Sequence, residues 1–253
     1  MSNNLISSSP WITNYKYNPY SKVRLFCFPY AGAGASIFRT WADLLPKEIE
    51  VCPVQFPGRE NRFLEEPFTN LNNLIDELIN HLIPFFDKPF VFYGHSLGSL
   101  VAFTLANKLK EENLALPILL FLSGKDSPQA VKKNKNLYKL PQGELLEELG
   151  RLNGTPNEIL NNIEMMELLL PLIRADFSMH DTYVYKPSSP LSIPISVFGG
   201  IDDHDTSYEN LLKWKELTNK EFSIRMLPGD HFFLESEREK LIEHISKDIL
   251  KEI

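Results

Sequence analysis

Residues 94–98 read Gly94-His95-Ser96-Leu97-Gly98 and lie between a strand-like run and a helix-like run. The run before them, Pro89-Phe90-Val91-Phe92-Tyr93, is aromatic and β-branched. The run after them, Leu97 to Leu109, is rich in helix formers and has few breakers. A G-x-S-x-G string in that context predicts a sharp strand-to-helix turn with a serine at its tip. Glycines permit the strained backbone that such a turn needs. The turn lifts the Ser96 hydroxyl clear of its own backbone. It also aims the first amides of the following helix at the place where an oxyanion would form. The bland alternative is a serine that only caps a buried helix.

The rest of the chain alternates in the same way. Strands are predicted at Val23–Phe28, Ile49–Val54, Phe90–Tyr93, Ile118–Leu122, Ile193–Phe198 and Phe222–Leu227. A short helix is predicted over Ala35–Leu45. Leu71, Leu74, Ile75, Leu78, Ile79, Leu82 and Ile83 mark an amphipathic helix, and Leu241, Ile242, Ile245 and Ile249 a closing one. Short apolar strands alternating with helices predict an α/β fold with a mainly parallel central sheet covered on both faces. Ligands in such sheets bind at the carboxyl ends of the strands.

One segment breaks the rhythm. About seventy residues between Leu122 and Ile193 hold no strand-like run, too many for a single crossover helix. Helical patches fall at Pro141–Leu152, Pro156–Asn161 and Ile163–Ser178, with Pro171 expected to kink the last. We read residues 126–188 as a helical lid inserted into one domain spanning 23–253. Residues 1–22 read as an irregular leader laid over the surface, carrying Trp11 and three tyrosines.

Composition narrows the partners. The 26 Lys and Arg against 33 Asp and Glu give a net charge of -7, which argues against nucleic acid or an anionic membrane. The 2 cysteines, Cys27 and Cys52, sit in apolar strand-like runs and read as buried thiols. No spacing of histidines and cysteines suits a metal. Residues 1–10 lack a basic and apolar targeting pattern, and no run reaches the ~18 apolar residues of a membrane span. The default expectation is a cytoplasmic location.

A serine hydroxyl needs a base, usually a histidine held by a carboxylate. In this arrangement the acid and then the histidine follow the serine along the chain. Of the six histidines, His231 is the candidate base, because it lies in the loop after the last predicted strand. His95 is read as support for the turn, and His81, His180, His204 and His244 fit worse. For the acid, Gly200-Ile201-Asp202-Asp203 points to Asp203, with Asp202 second and Asp126, after an earlier strand, third. The oxyanion donors are expected to be the amides of Leu97 and of Ala31. Ala31 lies in the small-residue loop Phe28-Pro29-Tyr30-Ala31-Gly32-Ala33-Gly34.

Beyond the elbow, four segments carry a resemblance: Phe28-Pro29-Tyr30-Ala31-Gly32, Phe56-Pro57-Gly58-Arg59-Glu60, Leu169 to Asp176, and Gly229-Asp230-His231-Phe232-Phe233-Leu234. With them the chain resembles the type II thioesterases of non-ribosomal peptide and polyketide synthesis, within the α/β-hydrolase superfamily. The resemblance runs from about Val23 to the C-terminus. It implies an α/β-hydrolase fold and hydrolysis of acyl or aminoacyl groups from the phosphopantetheine thiol of carrier proteins, to edit stalled carriers or release product in trans. It implies no metal or diffusible cofactor, since phosphopantetheine belongs to the substrate, and it implies a monomer. Tyr30, Arg59 and Phe232 become candidate substrate contacts, although Arg59 fits a salt bridge equally well. Lys132, Lys133 and Lys135 become a candidate docking site for acidic carriers. Two departures are visible: Asp230 stands where a second glycine is usual, and His204 follows Asp203 where proline is frequent. A small-molecule carboxylesterase or an acyltransferase with the same three residues remains the alternative.

Overall fold

The computed structural model describes residues 9–13, 15–131 and 136–253. Lys132, Lys133 and Lys135 lie outside them. Among the described residues six strands form, β1 (Val23–Phe28), β2 (Ile49–Pro53), β3 (Phe90–His95), β4 (Leu119–Ser123), β5 (Ile195–Gly200) and β6 (Phe222–Leu227). They make one sheet in the order β2-β1-β3-β4-β5-β6, and every pairing is parallel. This is an α/β fold of the α/β-hydrolase architecture, with a parallel central sheet flanked by helices.

The helices are α1 (Trp41–Leu44), α2 (Leu71–Leu82), α3 (Leu97–Glu111), α4 (Gln142–Leu152), α5 (Asn157–Leu160), α6 (Ile163–Thr182), α7 (Tyr208–Leu212), α8 (Phe233–Ser236) and α9 (Arg238–Glu252). Alternation along β1 shows how the sheet is covered. Phe26 and Phe28 pack into a cluster with the apolar faces of α2 and α3, while Val23, Leu25 and Cys27 pack with Trp41 and the α9 residues Leu241, Ile245 and Ile249. All six β1 residues are buried, and Arg24, the charged one among them, pairs there with the buried Glu50 of β2 at 2.8 Å. Cys27 and Cys52 are both buried free thiols.

Two expectations need correction. The predicted helix over Ala35–Leu45 is a 3-10 turn at Ala35–Phe38 followed by the four-residue α1. The leader does not simply lie on the surface. Trp11 and Ile12 are buried. Ile12 bridges Val54 in antiparallel fashion, and the Arg62 guanidinium sits 4.3 Å from the Trp11 ring centroid. A large aromatic beside a sheet edge contributes more by packing there than by facing water.

Between β4 and β5 the chain builds α4, α5 and α6 instead of a single crossover. These helices have a small core of their own, with Leu145, Leu149, Met166, Leu170 and Ile173 among its residues. Helix α6 runs through Pro171 without interruption. Strand order reverses between β1 and β3, which opens a crevice at their carboxyl ends. The loop after β1 and the turn after β3 both emerge there.

Candidate active site

Ser96 sits between β3 and α3 with φ 53° and ψ −112°, a conformation that L residues rarely adopt. The turn is tight enough to demand its glycines. A Cβ on Gly94 would lie 2.0 Å from the Gly98 carbonyl oxygen, and one on Gly98 would lie 2.0 Å from that of Phe28. Ser99 closes the turn from beneath. Its hydroxyl lies 2.7 Å from the Gly94 carbonyl oxygen and accepts the Ser123 amide at 2.9 Å.

The loop after β6 brings His231 over this turn. Its Nε2 lies 3.0 Å from Ser96 Oγ, and its Nδ1 lies 2.8 Å from Asp203 Oδ2. Asp203 leaves the end of β5 and is 7% exposed, so its charge needs partners. It has them: Oδ1 accepts the amides of Asp205 and Thr206, and Oδ2 accepts the Thr206 hydroxyl at 2.9 Å. Burial pushes the Asp203 carboxyl up, but the His231 hydrogen bond and charge, the Asp205 amide and the Thr206 hydroxyl outweigh it and hold the group below its ordinary value. Gly200 makes room for the histidine loop, because a Cβ there would meet the Asp230 carbonyl oxygen at 2.3 Å.

Of the candidate acids, Asp203 is the one that reaches His231. Asp202 is exposed. Asp126 accepts the Ser207 amide and the Asn210 side chain, which fixes the start of α7. Asp230 accepts the Phe232 amide at 2.8 Å and the Asn153 side chain at 3.0 Å, so it ties the histidine loop to the end of α4. His95 is fully buried. Burial first, and then the charge that a protonated His231 would carry, push its imidazole down to about 3.

Leu97 opens α3, so its N–H has no partner one turn back in the helix. Ala31 lies in the loop after β1 and lines the same cavity. The next two amides of that loop are engaged, Gly32 by Asp176 Oδ2 at 2.7 Å and Ala33 by the Tyr30 carbonyl at 3.1 Å. Ala31, Leu97, Ser96 and His231 all line one cavity of about 200 Å³. Leu149 and Phe177, from α4 and α6, form part of its apolar wall, with Leu100 and Tyr183. Lys125, His180 and Asp181 add a polar corner, where Lys125 meets His180 and His180 Nδ1 lies 3.0 Å from Asp181.

Tyr30 and Phe232 also line the cavity, with ring centroids 5.0 Å apart. Arg59 does not line it. The structure places Arg59 in a buried ion pair with Asp176 of α6, made through Nη1 and Nη2 at 2.8 Å each. Asp176 ends the Leu169 to Asp176 segment but has no role assigned from the sequence, yet a carboxylate in the mostly apolar stretch Leu168 to Phe177 is itself a sign of a buried partner. Thr206 and Ser99 were also missed, and nothing local distinguishes them from surface hydroxyls. Among the described residues no cluster of three or more histidine, cysteine or acidic side chains could hold a metal, and no helix is long and apolar enough to cross a membrane.

Comparison with known proteins extends this picture. A family model described as a thioesterase domain matches residues 23–249. The gramicidin S biosynthesis protein GrsT of Aneurinibacillus migulanus is 44% identical over 239 residues, 94% of this chain and 93% of that protein. The linear gramicidin dehydrogenase LgrE of Brevibacillus parabrevis is 40% identical over 247 residues, 96% of this chain and 94% of that protein. Among solved structures, the type II thioesterase BorB from the borrelidin biosynthetic cluster matches with a TM-score of 0.86 at 29% identity. That match covers 95% of this chain and 98% of BorB.

Proposed function

This chain belongs to the type II thioesterases of the α/β-hydrolase superfamily, and from that premise we propose that it hydrolyses acyl and aminoacyl thioesters on carrier-protein phosphopantetheine in peptide or polyketide synthesis. The observation that carries the reading is the chain of contacts from Ser96 through His231 to Asp203 at the wall of a cavity.

Ser96 Oγ attacks the thioester carbonyl carbon while His231 Nε2 takes its proton. Asp203 holds the imidazole in the productive tautomer and stabilises the imidazolium. The amides of Ala31 and Leu97 stabilise the tetrahedral oxyanion. The C–S bond breaks, and the thiolate takes the proton from His231 as the phosphopantetheine thiol departs. Water then gives a proton to His231 and attacks the acyl-serine carbonyl; the C–Oγ bond breaks, His231 returns the proton to Ser96 Oγ, and the acyl group leaves as the carboxylic acid. Residues 126–188 act as a lid that bounds the acyl group, while the pantetheine arm enters past it. The dehydrogenase in the name of LgrE is not carried over: this sequence lacks the G-x-G-x-x-G fingerprint of a dinucleotide site.

The test compares kcat/KM for one acyl group presented as a carrier thioester, a small soluble thioester and an oxygen ester. The reading expects the carrier thioester to lead. An oxygen ester turned over best would reassign the chain to a carboxylesterase.

A further inference from the structure

Two motifs far apart in sequence meet at one carboxylate. Asp176, on the lid helix α6, is fully buried and pairs with Arg59 from the Pro57-Gly58-Arg59-Glu60 segment. The same Oδ2 that takes Arg59 Nη1 also accepts the Gly32 amide. Gly32 directly follows Ala31, one of the two proposed oxyanion donors, and has φ +81°. Fixing the Gly32 N–H fixes the peptide plane on the carboxyl side of Ala31, while the plane that carries the Ala31 N–H is held at its Tyr30 carbonyl by the Ala33 amide at 3.1 Å.

The rest of that loop is held from the same quarter. Arg59 Nη1 donates to the Ala33 carbonyl at 3.0 Å, Gln55 Oε1 accepts the Ala35 amide at 2.6 Å, and Glu60 accepts the Ser36 amide at 3.2 Å. Gln55 in turn donates to the Arg59 carbonyl at 2.9 Å. Within this arrangement Asp176 is the member that comes from the lid. A buried carboxylate cannot leave its guanidinium without exposing or stranding a charge. So this part of α6 and the loop after β1 move together or not at all.

We propose that Asp176 and Arg59 are positioning residues that couple the lid to the oxyanion hole, so that the seating of α6 sets the aim of the Ala31 amide. The lid then does more than bound the acyl group: its seating completes the site that stabilises the transition state. This rests on the assignment of Ser96 and Ala31 given above.

The test uses Asp176→Asn and Arg59→Lys in the full chain with a small soluble acyl thioester. Asp176→Asn disturbs the shared oxygen and is expected to lower kcat about 100-fold, the scale of losing one oxyanion donor. Arg59→Lys keeps the charge and is expected to lower kcat about tenfold. KM should stay within about threefold in both, and the shape of the pH profile should not change, because His231 and Asp203 are untouched. If Asp176→Asn does not fold, Arg59→Lys alone decides. A wild-type kcat, or a raised KM at unchanged kcat, overturns the coupling. Ser96→Ala measured alongside separates the two claims. Loss of turnover in Ser96→Ala with full kcat in the pair variants overturns the coupling alone. Turnover that survives in Ser96→Ala overturns the site assignment and the coupling with it.

Discussion

His95 Nε2 donates to the backbone carbonyl oxygen of His231 at 2.8 Å. A carbonyl can only accept, so the proton sits on Nε2, and Nδ1 accepts from the Ser123 hydroxyl at 2.9 Å. One neutral imidazole thus joins the turn that carries Ser96 to the loop that carries His231. Burial and then His231 hold its folded-state value at about 3, against an ordinary histidine near 6.5. Below about pH 6.5 the unfolded chain takes up this proton and the folded one does not. Stability falls on the order of 1.4 kcal/mol per pH unit between those values. His95→Gln should remove this slope. Urea unfolding at several pH values between 7 and 4 checks it, and parallel profiles for both proteins would contradict the assignment.

Asp203 has the opposite linkage. Its folded carboxyl lies below the ordinary value, so its contribution to stability is full above about pH 3.9 and is lost as pH falls through the lower folded value. Asp203→Asn should therefore carry a stability penalty that is level from pH 7 to about 4 and shrinks in stronger acid. Its kcat should drop about 10⁴-fold, since an amide favours the wrong imidazole tautomer. Thermal unfolding across pH and steady-state kinetics test the two halves separately. A penalty that grows in acid would sink the linkage.

The alternation of strand and helix, the elbow and the order Ser96, Asp203, His231 were legible because each is local: a period, a turn residue, a position after a strand. The boundaries of β5 moved by two residues, from Ile193–Phe198 to Ile195–Gly200, because Ile193 is buried without being in the ladder. Trp11 and the pair Arg59–Asp176 were harder to read. Both depend on where distant segments meet, and spacing along the chain does not encode a partner 117 residues away.

Glycines offer a sharp contrast. Gly98→Ala puts a Cβ against the Phe28 carbonyl oxygen and should cost more than about 3 kcal/mol or prevent folding. Gly143, early in α4, faces open space: a Cβ there would meet nothing within 4 Å. Gly143→Ala should stabilise by about 0.4–1 kcal/mol. Melting temperatures of the two variants test the packing argument, and equal effects would refute it.

The α4 end of the proposed lid is held by weaker links. Arg151 reaches Asp205 at 2.9 Å and Asn153 reaches Asp230 at 3.0 Å, both in solvent-facing positions. Arg151→Ala with Asn153→Gly should cost less than about 1 kcal/mol globally. It should nevertheless speed protease cleavage within α4–α5, because local opening needs few contacts to break. Limited proteolysis with mass readout decides this. Unchanged cleavage there would mean that these links do not hold α4.

The central claim is that Ser96 removes acyl groups from carriers. The most direct measurement is intact-mass spectrometry of an acetyl- or aminoacyl-loaded carrier domain incubated with the wild-type protein or with Ser96→Ala. The account predicts loss of the acyl mass with wild type and retention with Ser96→Ala. Retention with both, while a simple ester is still cleaved, would contradict it.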